Sequence, residues 1–209
     1  MRQFFDRADA GRQLARALSH YAGKFPLILG VPRGGVPIAA VVADVLGGDL
    51  DVVLVRKLRA PGNPELAIGA VDESGRTFLT PYARMGNVES AYIQHERAAQ
   101  LETLRWRRAC LTPGRRSIDA RGRVVIVVDD GVATGASMIA ALQAVRQCEP
   151  ARLVCAVPVA PQDAVHELAS YADEVVCLNS PAEFGAVGEF YRSFAQVSDD
   201  EVLACLHVG

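Results

Sequence analysis

The chain has 209 residues, half of them apolar and 22% charged, with a formal net charge of −2. That composition suits one soluble globular domain with ample core, and the near-neutral balance argues against a dedicated nucleic-acid binder, which carries a basic excess or a basic face. The longest apolar stretch, Val36 to Leu46, is interrupted by Asp44 and falls short of the roughly 18 residues that a membrane span needs. Charges fill the first dozen residues, MRQFFDRADAGR, where a secretory signal would be apolar, so the expected location is the cytoplasm.

The basic residues are almost all arginine, the only lysines being Lys24 and Lys57. The five cysteines, Cys110, Cys148, Cys155, Cys177 and Cys205, form no CxxC pair and read as small buried thiols. No two of His20, His95, His166 and His207 lie three to five residues apart, so no zinc site is expected.

In chain order, Ala10, Leu14, Leu18 and Tyr21 fall on one face of a helix that starts near Asp6. An apolar strand, Leu27 to Val31, runs into PRGG, and the stretch Val36 to Leu46 reads as a helix stopped by Gly47 and Gly48. A second strand, Val52 to Val55, follows. From Arg56 to about Thr80 the pattern is a mobile loop, RAPGNPE, and then a hairpin. Asn87 to Leu111 reads as a long polar helix that packs on the hairpin, with Tyr92, His95, Ala99, Glu102 and Trp106 along one side. Thr112 to Arg123 carries four arginines, as a solvated linker or an anion patch. The core pattern resumes with the strand Val124 to Val128, the loop DDGVATGAS and the helix Met138 to Gln147. Strands at Leu153 to Val157 and Glu174 to Leu178 follow, with a helix at about Gln162 to Tyr171 between them. Ser198 and Glu201 have capping-box spacing for a last helix. Continuous rather than alternating apolar strands, each followed by a helix, predict an α/β fold with a parallel twisted sheet flanked by helices.

The chemistry concentrates in Val124 to Ser137. A buried strand delivers Asp129 and Asp130 to its C-terminal end, where ligands bind in open α/β sheets. Ala133, Thr134, Gly135, Ala136 and Ser137 then make a small-residue turn into a helix, which can aim backbone amides at a phosphate, with two hydroxyls as further donors. There is no GxxxxGK and no GxGxxG, so the turn suits a monophosphate rather than a nucleotide triphosphate. The acids beside it suit ribose hydroxyls and a magnesium ion held through water or ligand. A plain strand end with capping aspartates is the alternative, and PRGG could equally be an ordinary βα turn.

VVDDGVATGAS resembles the phosphoribosyl pyrophosphate (PRPP) loop of type I phosphoribosyltransferases. The resemblance implies one domain over residues 1–209, with residues 58–115 as lid, hairpin and long-helix insertion and 179–209 as a C-terminal flap. It implies Mg2+ as cofactor, and PRPP and a small heterocyclic base as ligands, with no nucleic acid or membrane partner and a homodimer open. Asp129 and Asp130 would hold ribose and, indirectly, the metal; Ala133 to Ser137 would hold the 5′-phosphate. Arg33, Gly34 and Gly35 would form the pyrophosphate loop, which in that family often has a cis peptide. Arg56 and Lys57 match a basic pair that precedes the family's catalytic loop, Glu65 in the lid is the candidate for proton transfer, and Phe184 in PAEFGAVGEFY matches a residue that stacks on the base, unless it is a core phenylalanine. The implied reaction moves phosphoribose to a nitrogenous base, with a purine favoured. The alternatives are a PRPP- or nucleotide-sensing module with the same fold and a PRPP-hydrolysing variant. Where enzymes for 6-oxopurines carry an acid and a lysine, Ala133 and Ala136 stand here, which points away from hypoxanthine and guanine.

Overall fold

The computed structural model describes residues 3–207, without the side chains of residues 64 and 65. Helix α1 (Arg7–Ala17) is capped by Asp6, whose carboxylate accepts from the Asp9 amide. Leu18 and Tyr21 lie in the following short turn, buried with Ala10 and Leu14. Strand β1 (Leu27–Gly30), helix α2 (Gly35–Leu46) and strand β2 (Asp49–Val52) come next. The sequence placed the second strand at Val52 to Val55. The observed strand starts three residues earlier because it is an edge strand, paired only with β1 from Leu27↔Asp49 to Gly30↔Val52, and an edge tolerates the polar DLD that an interior strand would not.

The expected loop at Arg56 is also a strand. Strands β3 (Val55–Ala60), β4 (Asn63–Asp72) and β5 (Thr77–Leu79) form an antiparallel sheet of their own. Leu58 and Ala60 are buried while Lys57 and Arg59 are exposed, the period of two that a half-covered strand requires. The Pro and Gly read as loop residues supply only the tight turn between β3 and β4. Helix α3 (Ser90–Leu111) packs on this sheet as expected, but through another face: Ile93, Gln100, Leu104 and Leu111 are buried, and Trp106 is 64% exposed. The polar segment after α3 is a mostly exposed connecting loop, as one of the two readings had it, tied down where Arg115 bonds the Leu50 carbonyl and Asp51 and where Arg123 pairs with Asp49.

The remaining elements follow the expected order: β6 (Val124–Val128), α4 (Ala136–Arg146), β7 (Arg152–Val159), α5 (Gln162–Leu168), β8 (Glu174–Asn179) and α6 (Asp199–His207). The five strands outside the insertion form one parallel sheet in the order β2-β1-β6-β7-β8. Its faces separate by strand alternation. Ile28, Ile126 and Val154 meet Leu14, Ile38 and Val42 of α1 and α2, while Leu27, Val125 and Leu153 meet Met138, Leu142 and Leu168 of α4 and α5. A third cluster, including Leu58, Ile68, Leu104 and Leu206, joins the insertion to α6. The segment before α6 folds back on the N-terminus, where Phe4 donates to the Phe190 carbonyl and accepts from Arg192. The capping box forms, with the Ser198 amide donating to Glu201 and the Glu201 amide to Ser198 Oγ.

From β1 the chain winds one way to β2, and from β6 it winds the other way to β7 and β8. The crevice between the C-terminal ends of β1 and β6 is therefore the topological switch point, where ligands of open α/β sheets bind.

Candidate active site

Two loops flank that crevice. The first leaves β1 through Val31, whose amide donates to the Val128 carbonyl, and continues through a cis peptide between Pro32 and Arg33. Its glycines are dictated by close approach. A Cβ on Gly34 would lie 1.9 Å from Asp130 Oδ2, and one on Gly35 would lie 2.5 Å from the Val128 carbonyl oxygen and 2.8 Å from Asp129 Cα. The PRGG loop is thus pressed against the acids at the end of β6.

The second loop begins with those acids. Asp129 Oδ1 accepts from the Asp130 amide. Asp130 Oδ2 accepts from Arg7 Nε at 3.0 Å and Nη2 at 2.7 Å. Arg7 also donates to the Ala195 carbonyl at 2.7 Å and lies 4.0 Å over the Phe194 ring, and the Tyr191 hydroxyl donates to the Asp130 carbonyl at 2.6 Å. Burial, and after it the Asp130 charge, push Asp129 well above the ordinary carboxylate range. Burial raises Asp130 too, against the pull of the Arg7 hydrogen bond. Beyond the acids, the Val132 amide donates to the Val159 carbonyl and Gly135 turns at φ +77° into α4. The first amides of α4 have no helical acceptor, and the hydroxyls of Thr134 and Ser137 are exposed with no partner among the described residues.

Residues 3–193 match the phosphoribosyl transferase domain family. The chain belongs to that family. The crystal structure of TT1426 from Thermus thermophilus is similar to it, with 50% identity, 99% of this chain and 98% of that one covered, and a TM-score of 0.90. Proteins of two Mycobacterium tuberculosis strains, provisionally named phosphoribosyl transferases, are 48% identical over 207 residues, 99% of this chain. The chain spans 47% of the length of these curated relatives.

Within this phosphoribosyl transferase domain, six of the residues singled out from sequence line two cavities. Arg33, Gly34 and Asp130 line a cavity of about 430 Å³ that also has Arg7, Phe194 and Val197 in its wall. Arg56 and Lys57 line another cavity of about 430 Å³, with Pro32 and Ser137, between the main sheet and the insertion. The basic pair sits on β3 rather than in a loop, and Arg56 Nε donates to Gln100 of α3 at 2.6 Å. Phe184 lines neither of these two cavities; it stacks on Phe190 with ring centroids 5.4 Å apart and packs against the main core. Glu65 belongs to β4, but its side chain lies outside the described residues. Sequence reasoning missed Arg7 and Phe194. Arg7 carries no local signal, being one arginine at the start of an amphipathic helix. Phe194 lies three residues past PAEFGAVGEFY, the segment singled out for an aromatic, and ten residues beyond the one chosen.

Proposed function

We propose that this domain binds PRPP across the β1/β6 crevice and transfers its phosphoribosyl group to a nitrogenous base, releasing pyrophosphate. The observation that carries the reading is the close placement of Asp129 and Asp130 against the glycine pair Gly34 and Gly35 at the switch point, with the turn 133–137 following the acids into α4. On this reading Asp129 and Asp130 accept hydrogen bonds from the ribose hydroxyls. The amides of Ala133 to Ser137, with the Thr134 and Ser137 hydroxyls, hold the 5′-phosphate, and Arg33, Gly34, Gly35, Arg56 and Lys57 face the pyrophosphate. In the reaction the bond from the ribose anomeric carbon to pyrophosphate breaks, the electron pair leaves with pyrophosphate, a bond to a ring nitrogen forms and the base loses its N–H proton. Positive charge grows on the sugar and negative charge on the leaving group, so pre-placed donors and cations around the departing anion lower the barrier. Glu65 is the proposed acceptor of the proton.

The acid pair fits magnesium that arrives with substrate. Among the described residues no cluster of three or more His, Cys, Asp or Glu side chains could cage a metal, but magnesium normally keeps waters and substrate phosphates as ligands and needs only one or two carboxylates. Asp129 and Asp130 would hold it, and the ion would offset charge on the pyrophosphate. The base would be received by residues 181–197, where Phe194 borders the Asp130 cavity and Phe184 anchors the segment to the core through Phe190. Alanine at 133 and 136 favours an aminopurine or another heterocycle over hypoxanthine and guanine. Incubation with PRPP, Mg2+ and a panel of bases, following pyrophosphate, tests this. Base-dependent pyrophosphate release is expected; release without any base would make the domain a PRPP hydrolase, and PRPP binding without release would make it a sensor.

A further inference from the structure

The cavity between the main sheet and the insertion is lined by Arg56, Lys57, Arg59 and Arg107 and by no aspartate or glutamate among the described residues. Several arginines elsewhere are answered by acids, as in Arg7–Asp130, Arg108–Asp51, Arg123–Asp49 and Arg146–Asp173, and others, such as Arg76 and Arg97, donate to backbone carbonyls. The side chains of Lys57, Arg59 and Arg107 have no acidic partner among the described residues. Arg56 is bonded to a neutral amide, and burial, followed by the charges of Arg107 and Arg59, lowers its proton affinity against the weaker pull of Glu96, which accepts from the Arg59 amide and from Gln100 and does not line the cavity. Like charges gathered on one concave, partly dry surface repel one another, and a bound polyanion relieves that repulsion.

The site is held in shape. Gln100, Leu104 and Arg107 follow one another at helical spacing on the inward face of α3, and Arg108, the next residue, clamps the helix to Asp51 at 2.7 Å and to Glu73. Pro32 of the loop after β1 and Ser137 in the first turn of α4 also line the cavity. We propose that Arg59 of β3 and Arg107 of α3 bind the pyrophosphate group of PRPP, so that the insertion contributes directly to the substrate site. This rests on the reading above. The 5′-phosphate is served by amides and hydroxyls, whereas four cations suit the more highly charged end of the molecule, and guanidinium forks bind phosphoryl oxygens in pairs.

Calorimetric titration of the whole protein with inorganic pyrophosphate and Mg2+, and separately with ribose 5-phosphate, tests the assignment in the wild type, Arg107→Ala and Arg59→Ala. Each substitution should weaken pyrophosphate about tenfold or more, the usual effect of losing a charge-assisted hydrogen bond, and leave ribose 5-phosphate within about twofold. Arg59 is exposed, so its removal leaves the packing intact and keeps the test valid if Arg107→Ala disturbs α3. No pyrophosphate binding by the wild type, unchanged pyrophosphate affinity in both variants, or equal loss of both ligands in Arg59→Ala would overturn the proposal. Arg107-dependent pyrophosphate binding by a protein that ignores PRPP would instead leave the anion site standing and overturn the transferase reading.

Discussion

Gly34→Ala should uncouple the two loops of the crevice. The added Cβ would meet Asp130 Oδ2 at 1.9 Å and Cγ at 2.5 Å, so the carboxylate must retreat by about 1.5 Å to reach ordinary contact, which stretches both hydrogen bonds from Arg7 beyond use. Arg7 keeps its bond to the Ala195 carbonyl and its stack on Phe194. The loss is therefore that of a charge-assisted pair in a mostly buried setting, about 2–3 kcal/mol, or roughly 5–10 °C in Tm for a chain of this size. Urea unfolding of the wild type, Gly34→Ala, Arg7→Ala and the double variant gives the coupling directly. If the alanine acts by evicting Asp130 from Arg7, the double variant loses less than the two single losses together, by about 1.5 kcal/mol. Additivity within about 0.5 kcal/mol, or a Gly34→Ala protein as stable as the wild type, would refute the reasoning.

Arg108→Ala leaves Asp51, 1% exposed, with a buried charge short of its main partner and should cost about 3–5 kcal/mol in urea unfolding; a cost below about 1 kcal/mol would mean the network is ornamental to stability. Gly135→Val places a branched side chain at φ +77°, which should cost roughly 1–2 kcal/mol and abolish ribose 5-phosphate binding, so a folded variant that binds it normally would remove the phosphate turn. The Tyr21 hydrogen bond, with Arg152 beside it, holds Glu174 below its ordinary value of 4.5. The folded form is the stronger acid, so its contribution is fully present above about pH 4.5 and is lost as the pH falls through the lower folded value. Because the group is partly exposed, Glu174→Gln should remove less than about 1 kcal/mol of stability, visible as a shallower acid limb between pH 6 and 3; superimposable limbs would contradict it.

The parallel sheet was legible because its interior strands are buried on both faces and read as unbroken apolar runs: Val124 to Val128 was placed without error. The position of the acids at the end of β6 and of the small-residue turn into α4 was legible because they are contiguous in the chain. What failed had contacts distant in sequence. Strand β2 hides its polar DLD at a sheet edge, with Asp51 satisfied by arginines 57 and 64 residues away. Lys57 and Arg59 looked like loop residues because a strand covered on one side may carry charge on the other. Helix α3 has a weak apolar stripe, so periodicity favoured the side with Trp106, whereas the buried side carries Gln100, which holds Arg56, and Leu104 and Arg107, which line the cavity. Arg7 reaches Asp130 across 123 residues, a partnership that no local pattern announces.

Direct titration of the wild-type protein with PRPP, in the presence and absence of Mg2+, addresses the central claim with the fewest assumptions. The domain should bind PRPP with Mg2+ present and much more weakly without it. Asp129→Asn and Asp130→Asn should each weaken the magnesium-dependent binding by about tenfold or more, because each replaces a charged acceptor for ribose and metal. Binding that is indifferent to Mg2+ and to both substitutions, or no binding at all by a folded protein, would contradict the assignment of the β1/β6 crevice as a PRPP site.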